Sequence, residues 1–162
     1  MIVVSDTSPL NYLLLIGKID LLPKLFGEVY APTAVMQELF HPHTPESVRS
    51  WATSPPEWLL IASPSQGISI AANLDPGEKD AILLALQLQA QAILIDERKG
   101  RQVANSQGLR TLGTITVLEL AAEQRLIDLR TALIALRRTS FHVADNLIEA
   151  ALERDSTRRL GE

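Results

Sequence analysis

The stretch Met1-Ile2-Val3-Val4-Ser5-Asp6-Thr7-Ser8-Pro9-Leu10 decides how this chain is read. A short β-branched run ends at a carboxylate, and Pro9-Leu10 then opens an apolar segment of helical character. Val3-Val4 shows no polar alternation, which suits a strand covered on both faces, as in a parallel sheet. An acid at the C-terminal end of the first strand of an α/β sheet lies where such sheets place ligands. Asp6 is therefore the first candidate site residue.

The same pattern returns at Ala92-Ile93-Leu94-Ile95-Asp96, again a short apolar strand closed by an acid. Between the two, residues 10–16 and 19–26 read as helical, and residues 28–31 as a strand stopped by Pro32. Thr33 is the expected N-cap of a helix to about residue 40, and Thr44 the cap of a short helix with Pro45 in its first position. Residues 58–62, flanked by prolines, read as an edge strand. Asp75-Pro76-Gly77-Glu78 has the spacing of a capping box and opens a helix to about residue 89. Residues 101–107 read as a helix stopped by Gly108, and 109–112 as the last strand. Helices are expected at about 117–123, 130–138 and 143–154. Strands alternating with helices predict an α/β fold, a three-layer α/β/α sandwich around a central parallel sheet of about five strands, with extra C-terminal helices. The expected organisation is one α/β domain over 1–140 and a helical extension over 141–162 packed on it.

At 162 residues the chain can bury a substantial core. Aromatics are only 4%, so Leu, Ile, Val and Ala must fill it. The absence of cysteine excludes disulfides, thiolate metal sites and a cysteine nucleophile. No apolar run reaches the roughly 18 residues of a membrane span, and the N-terminus lacks the basic start of a signal peptide. A soluble cytoplasmic protein is expected. The net charge of −4 hides an asymmetry: residues 1–97 carry 4 Lys/Arg against 11 Asp/Glu, and residues 98–162 carry 11 against 8. The first part can hold a cation and the second can meet an anion.

Five acids fall at or near element ends: Asp6, Glu38, Glu78, Asp80 and Asp96. In a parallel sheet the two strand ends bearing Asp6 and Asp96 open on one edge. Clustered carboxylates raise one another's pKa unless a cation intervenes, and oxygen ligands without thiolates favour Mg²⁺ or Mn²⁺. Such an ion activates water and offsets charge on a phosphodiester. Each acid also has a structural alternative. Asp6 suits a helix cap, Glu78 completes a capping box, and Asp80 is a first-turn partner of the helix dipole.

The spelling of these segments resembles a PIN domain, in particular the short prokaryotic branch first described as a domain of unknown function and related to toxin ribonucleases. The matching pieces are Val3 to Leu10, Val35-Met36-Gln37-Glu38-Leu39, Pro76-Gly77-Glu78-Lys79-Asp80-Ala81-Ile82, Leu94 to Arg101, and Gly108-Leu109 followed by Gly113-Thr114. The resemblance implies a metal-dependent endoribonuclease acting on RNA, with catalytic acids Asp6, Glu38, Asp80 and Asp96 and with Glu78 as a further metal ligand. Expected substrate contacts are Ser8, Arg98, Lys99, Arg101, Thr114 and Thr116. The resemblance also implies a homodimer, and a toxin held by a small antitoxin protein. One departure stands out: many PIN domains place another Asp or Asn after the fourth acid, where this chain has Thr114 and Thr116. That departure supports an alternative, a catalytically weak PIN-fold module that binds nucleic acid or protein. A phosphotransfer protein with Asp6 as nucleophile is a third reading, but such chemistry commonly wants a second Asp two residues on, where this chain has Ser8.

Overall fold

A computed structural model describes residues 1–67, 69–70 and 73–161. Glu162, the last residue of the expected C-terminal extension, lies outside the described residues. In chain order the elements are β1 (Val3–Ser5), α1 (Thr7–Leu15), α2 (Leu21–Phe26), β2 (Val29–Ala31), α3 (Thr33–Leu39), α4 (Glu46–Thr53), β3 (Leu59–Ile61) and α5 (Pro76–Leu88). There follow β4 (Ala92–Leu94), α6 (Arg98–Ser106), β5 (Thr111–Leu112), α7 (Thr114–Glu123), α8 (Leu129–Arg137) and α9 (Asp145–Leu160).

The five strands form one sheet in the order β3-β2-β1-β4-β5, with every pair parallel. The three-layer α/β/α architecture read from the sequence is therefore the observed one. From β1 the chain moves outward to β2 and β3, then returns to the other side of β1 for β4 and β5. The direction of winding reverses between β1 and β4, and open α/β sheets place their ligand crevice at such a reversal, beyond the strand C-termini.

Successive strand residues point to opposite faces, and the core divides accordingly. Val3 belongs to a large cluster with Leu10, Leu13, Val35, Leu118 and Leu133, whereas Val4 joins Ile82, Leu84, Ile93 and Ala104 under α5 and α6. α9 packs on α7 and α8, and its Ile148 and Ala151 belong to the large cluster. Among the described residues no helix is long and apolar enough to cross a membrane.

Several element starts differ from the sequence reading. Pro32 and Pro45, not Thr33 and Thr44, hold the N-cap positions of α3 and α4. α6 begins at Arg98 rather than 101, α7 at Thr114 rather than 117, and α9 extends to Leu160. The β-branched Thr114-Ile115-Thr116-Val117 run has low helix propensity, but burial of Thr114, Val117 and Leu118 overrides it. The start of α5 matches its reading: Asp75 is the N-cap, with its side chain accepting from the Glu78 N–H, and Pro76 is the first helical residue.

Candidate active site

β1 and β4 pair with Ser5 opposite Leu94, so Asp6 and Asp96 emerge close together at one sheet edge. The Asp6 N–H donates to the Leu94 carbonyl at 2.8 Å, which fixes the end of β1. Asp6 holds the N-cap position of α1, yet its side chain makes no capping bond. It is 4% exposed, and its Oδ1 has no hydrogen-bond partner among the described residues. A buried carboxylate oxygen left unpaired is costly, so the capping alternative does not account for this residue.

Two helices deliver further acids. Glu38 reaches across from α3: the Thr7 hydroxyl donates to its Oε2, and the Gly77 N–H at the start of α5 donates to its Oε1 at 3.1 Å. Gly77 leaves room for the Glu38 carboxylate, which would have to shift if a side chain stood there. A Cβ at that position would meet the Glu38 carboxylate, lying 2.8 Å from its Cδ. Asp75 accepts from the Glu78 N–H at 2.8 Å. The return half of the capping box is missing, because the Glu78 Oε2 is buried with no partner among the described residues. That oxygen faces α6, where a Cβ on Gly100 would lie 2.6 Å away. Glu78 thus points inward at 7% exposure instead of closing the cap.

Asp96 is held differently. Its Oδ1 accepts from the Thr114 N–H at 2.7 Å, and its Oδ2 accepts from the hydroxyls of Thr114 and Ser8, each at 2.7 Å. Thr114 is fully buried. Ser8 and Thr114, expected as substrate contacts, both hydrogen-bond Asp96.

Asp80 is not brought to the cluster. It sits about 200° around α5 from Glu78, two residues at about 100° each. Among the described residues its side chain makes no hydrogen bond or ion pair, and it lines neither of the clefts below. In its place the structure brings up Asp75, which sequence reasoning assigned only to capping.

The carboxylates raise one another. Burial, followed by Asp75, Glu38 and Asp96, pushes the Asp6 carboxyl up to about 7 against the opposing Thr7 backbone N–H. Burial also raises Glu38 in spite of the Thr7 hydroxyl, and Asp75 adds to the effect. Burial and then Asp75 and Asp6 push Glu78 up to about 8. No cationic side chain pairs with these acids among the described residues. They line a cleft of about 510 Å³ together with Asn11, Tyr12, His41, His43 and Glu97. The two histidines stack on each other with ring centroids 5.0 Å apart. A second cleft of about 550 Å³ adjoins it and is lined by Asp96, Arg98, Arg101 and Thr116 among others; Ser8, Tyr12 and Glu97 line both. Lys99 is exposed and lines neither.

Residues 2–157 match the family model DUF3368, described as a PIN domain. The chain belongs to the PIN-domain family. PIN domains are commonly nucleases and typically use divalent metal ions. The fold is similar to that of a PilT N-terminus domain protein from the hyperthermophilic archaeon Sulfolobus solfataricus, with a TM-score of 0.52 over 89% of this chain and 100% of that one, at 13% identity. No curated protein matches the sequence significantly.

The acid edge of this PIN domain fits a hard divalent cation on its donor chemistry: among the described residues two buried carboxylate oxygens lack partners, and no cationic side chain pairs with the cluster. Among the described residues no three acid or histidine side chains already converge in a metal-holding group. Glu38 and Asp96 spend their oxygens on Thr7, Gly77, Ser8 and Thr114 instead.

Proposed function

We propose that this PIN domain is a Mg²⁺- or Mn²⁺-dependent endoribonuclease whose ion is held by Asp6, Glu38, Glu78 and Asp96. The observation that carries this reading is the pair of buried oxygens without a hydrogen-bond partner among the described residues, Asp6 Oδ1 and Glu78 Oε2, on acids that line one cleft beside a second lined by Arg98 and Arg101. When bound, the ion would supply Lewis-acid activation of water and charge compensation at the phosphodiester. Ser8 and Thr114 fix the Asp96 carboxylate, Thr7 and the α5 N-terminus fix Glu38, and Arg98 and Arg101 meet the substrate backbone at the rim. Asp80 is left out of the ligand set because of its place on α5.

The biological reading follows the family resemblance: a cytoplasmic toxin, homodimeric and restrained by a small antitoxin protein. Co-expression with each reading frame that flanks its gene tests it, the expected result being a small protein that co-purifies as a stable complex and suppresses growth arrest. The catalytic reading is tested by incubating the purified chain with single-stranded RNA in Mn²⁺ and in EDTA. Cleavage only with Mn²⁺ is expected. RNA binding without cleavage favours the second reading, a binding module, to which the absence of a converged metal group among the described residues lends support.

Two variants probe the supporting residues. Thr114→Val removes the hydroxyl bond to Asp96, and outer-shell losses of this kind cost roughly 10–100-fold in metal affinity. Titration with Mn²⁺ should show that loss, and Thr114→Ser should avoid most of it. Gly77→Ala drives a methyl into the Glu38 carboxylate, so Mn²⁺ affinity should fall by at least about tenfold while far-UV circular dichroism keeps its helical signal. An unchanged affinity in Gly77→Ala would remove Glu38 from the ligand set.

A further inference from the structure

The second cleft is more than a charged rim. One wall is aromatic: Tyr12 of α1 and Phe141 of the segment joining α8 to α9 meet edge to face, with ring centroids 4.9 Å apart and planes at 80°. The Tyr12 hydroxyl lies 3.1 Å from the Ser140 hydroxyl, which ties that segment to α1. Both rings are partly exposed, and both line this cleft. Arg98 and Arg101 line the same cleft and form no ion pair among the described residues. Arg154, another lining residue with a largely exposed side chain, makes a two-pronged bond to Glu119 at 2.8 and 3.1 Å. The volume of about 550 Å³ lies within the usual range of ligand pockets, about 300–1,000 Å³.

Position gives the cleft its meaning. It adjoins the acidic site: Ser8, Tyr12 and Glu97 line both clefts, and Asp96 lines this one. An aromatic surface and guanidinium groups lining one cleft are the combination that holds one unpaired base and its phosphate. A base inside a duplex cannot reach such a wall, because its faces are already stacked on its neighbours.

We propose that this cleft is a nucleotide subsite for single-stranded RNA. One unpaired base stacks against the Tyr12–Phe141 wall, its phosphate meets Arg98 and Arg101, and the adjoining phosphodiester enters the acid cluster. The proposal rests on the nuclease reading for its substrate class. It gives that reading a preference for unpaired strands and a role for the α8–α9 segment.

The test uses the full chain carrying Asp6→Asn, so that the strand stays intact, and a fluorescein-labelled single-stranded RNA of about twelve nucleotides. Fluorescence anisotropy should give tighter binding to this strand than to its duplex. Phe141→Leu, which keeps an apolar side chain against the core, should weaken single-strand binding roughly tenfold, and Phe141→Trp should restore it. Each of Arg98→Gln and Arg101→Gln should reduce the slope of log K against log salt by about 0.7. Thermal unfolding checks that each variant is folded. Unchanged binding in a folded Phe141→Leu chain, or equal affinity for strand and duplex, overturns the subsite even if the unmodified chain cleaves RNA. Phe141-dependent binding with no cleavage by the unmodified chain keeps the subsite and overturns the hydrolytic reading. Failure to bind single strands at all removes the subsite.

Discussion

Asp6→Asn combined with Asp96→Asn is expected to abolish Mn²⁺-dependent RNA cleavage. Metal assistance at a phosphodiester supplies several kcal/mol of transition-state stabilisation. At about 1.36 kcal/mol per tenfold, its loss costs on the order of 10³-fold or more in rate. Asp6 contributes a buried oxygen with no hydrogen-bond partner among the described residues, and Asp96 is fixed by three hydrogen bonds. The fold should survive the change at Asp6. An amide there removes a charge that burial and three neighbouring acids disfavour, so the metal-free variant should melt no lower than the parent. Asp80→Asn, the control from the same neighbourhood, should leave cleavage within a few-fold of the parent. Gel-resolved cleavage of a labelled RNA reads all three, and full activity in the double variant contradicts the assignment.

The second large effect is on stability as pH changes. Asp6 has a folded-state value of about 7 against an ordinary 3.8, and Glu78 one of about 8 against 4.5. Both are raised, so between these limits the folded chain binds more protons than the unfolded one, and stability falls as pH rises. The protonated acids' contribution is complete below about pH 4 and is lost as pH climbs through 7 to 8. For Asp6 alone the displacement from 3.8 to about 7 corresponds to on the order of 4 kcal/mol. Denaturant melts of the metal-free chain at pH 5 and pH 8.5 should therefore show a clear loss at the higher pH. Mn²⁺ should reverse it there, by about 2.7 kcal/mol at a hundredfold excess over its Kd. A pH-independent midpoint would mean that the cluster is solvated and not strained by its own charge.

Much of this site was legible in the sequence because strand ends are legible. Val3-Val4 and Ile93-Leu94-Ile95 announce buried parallel strands, and once they are neighbours, Asp6 and Asp96 must share an edge. Glu38 was named from its motif, but the partners that hold its carboxylate come from α1 and α5, far away in the chain. Side-chain direction was harder to read. Asp75 satisfied its capping role so well that its charge on Asp6, Glu38 and Glu78 went unnoticed. Glu78 and Asp80 look interchangeable as neighbouring acids, and only the helix phase separates them. The Thr114 bonds to Asp96 depend on the β4–β5 register, which no local pattern encodes. Tyr12 and Phe141 lie too far apart in the chain for any local pattern to pair them; the docking of α9 on α7 and α8 anchors the segment that carries Phe141.

Calorimetric titration of the purified chain with Mn²⁺ near pH 7, repeated in two buffers of different ionisation enthalpy, tests the central claim most directly. The acid cluster predicts saturable binding with release of protons from Asp6 and Glu78, and loss of that binding in the Asp6→Asn/Asp96→Asn chain. No binding at millimolar Mn²⁺, or binding that the double variant retains, would contradict it.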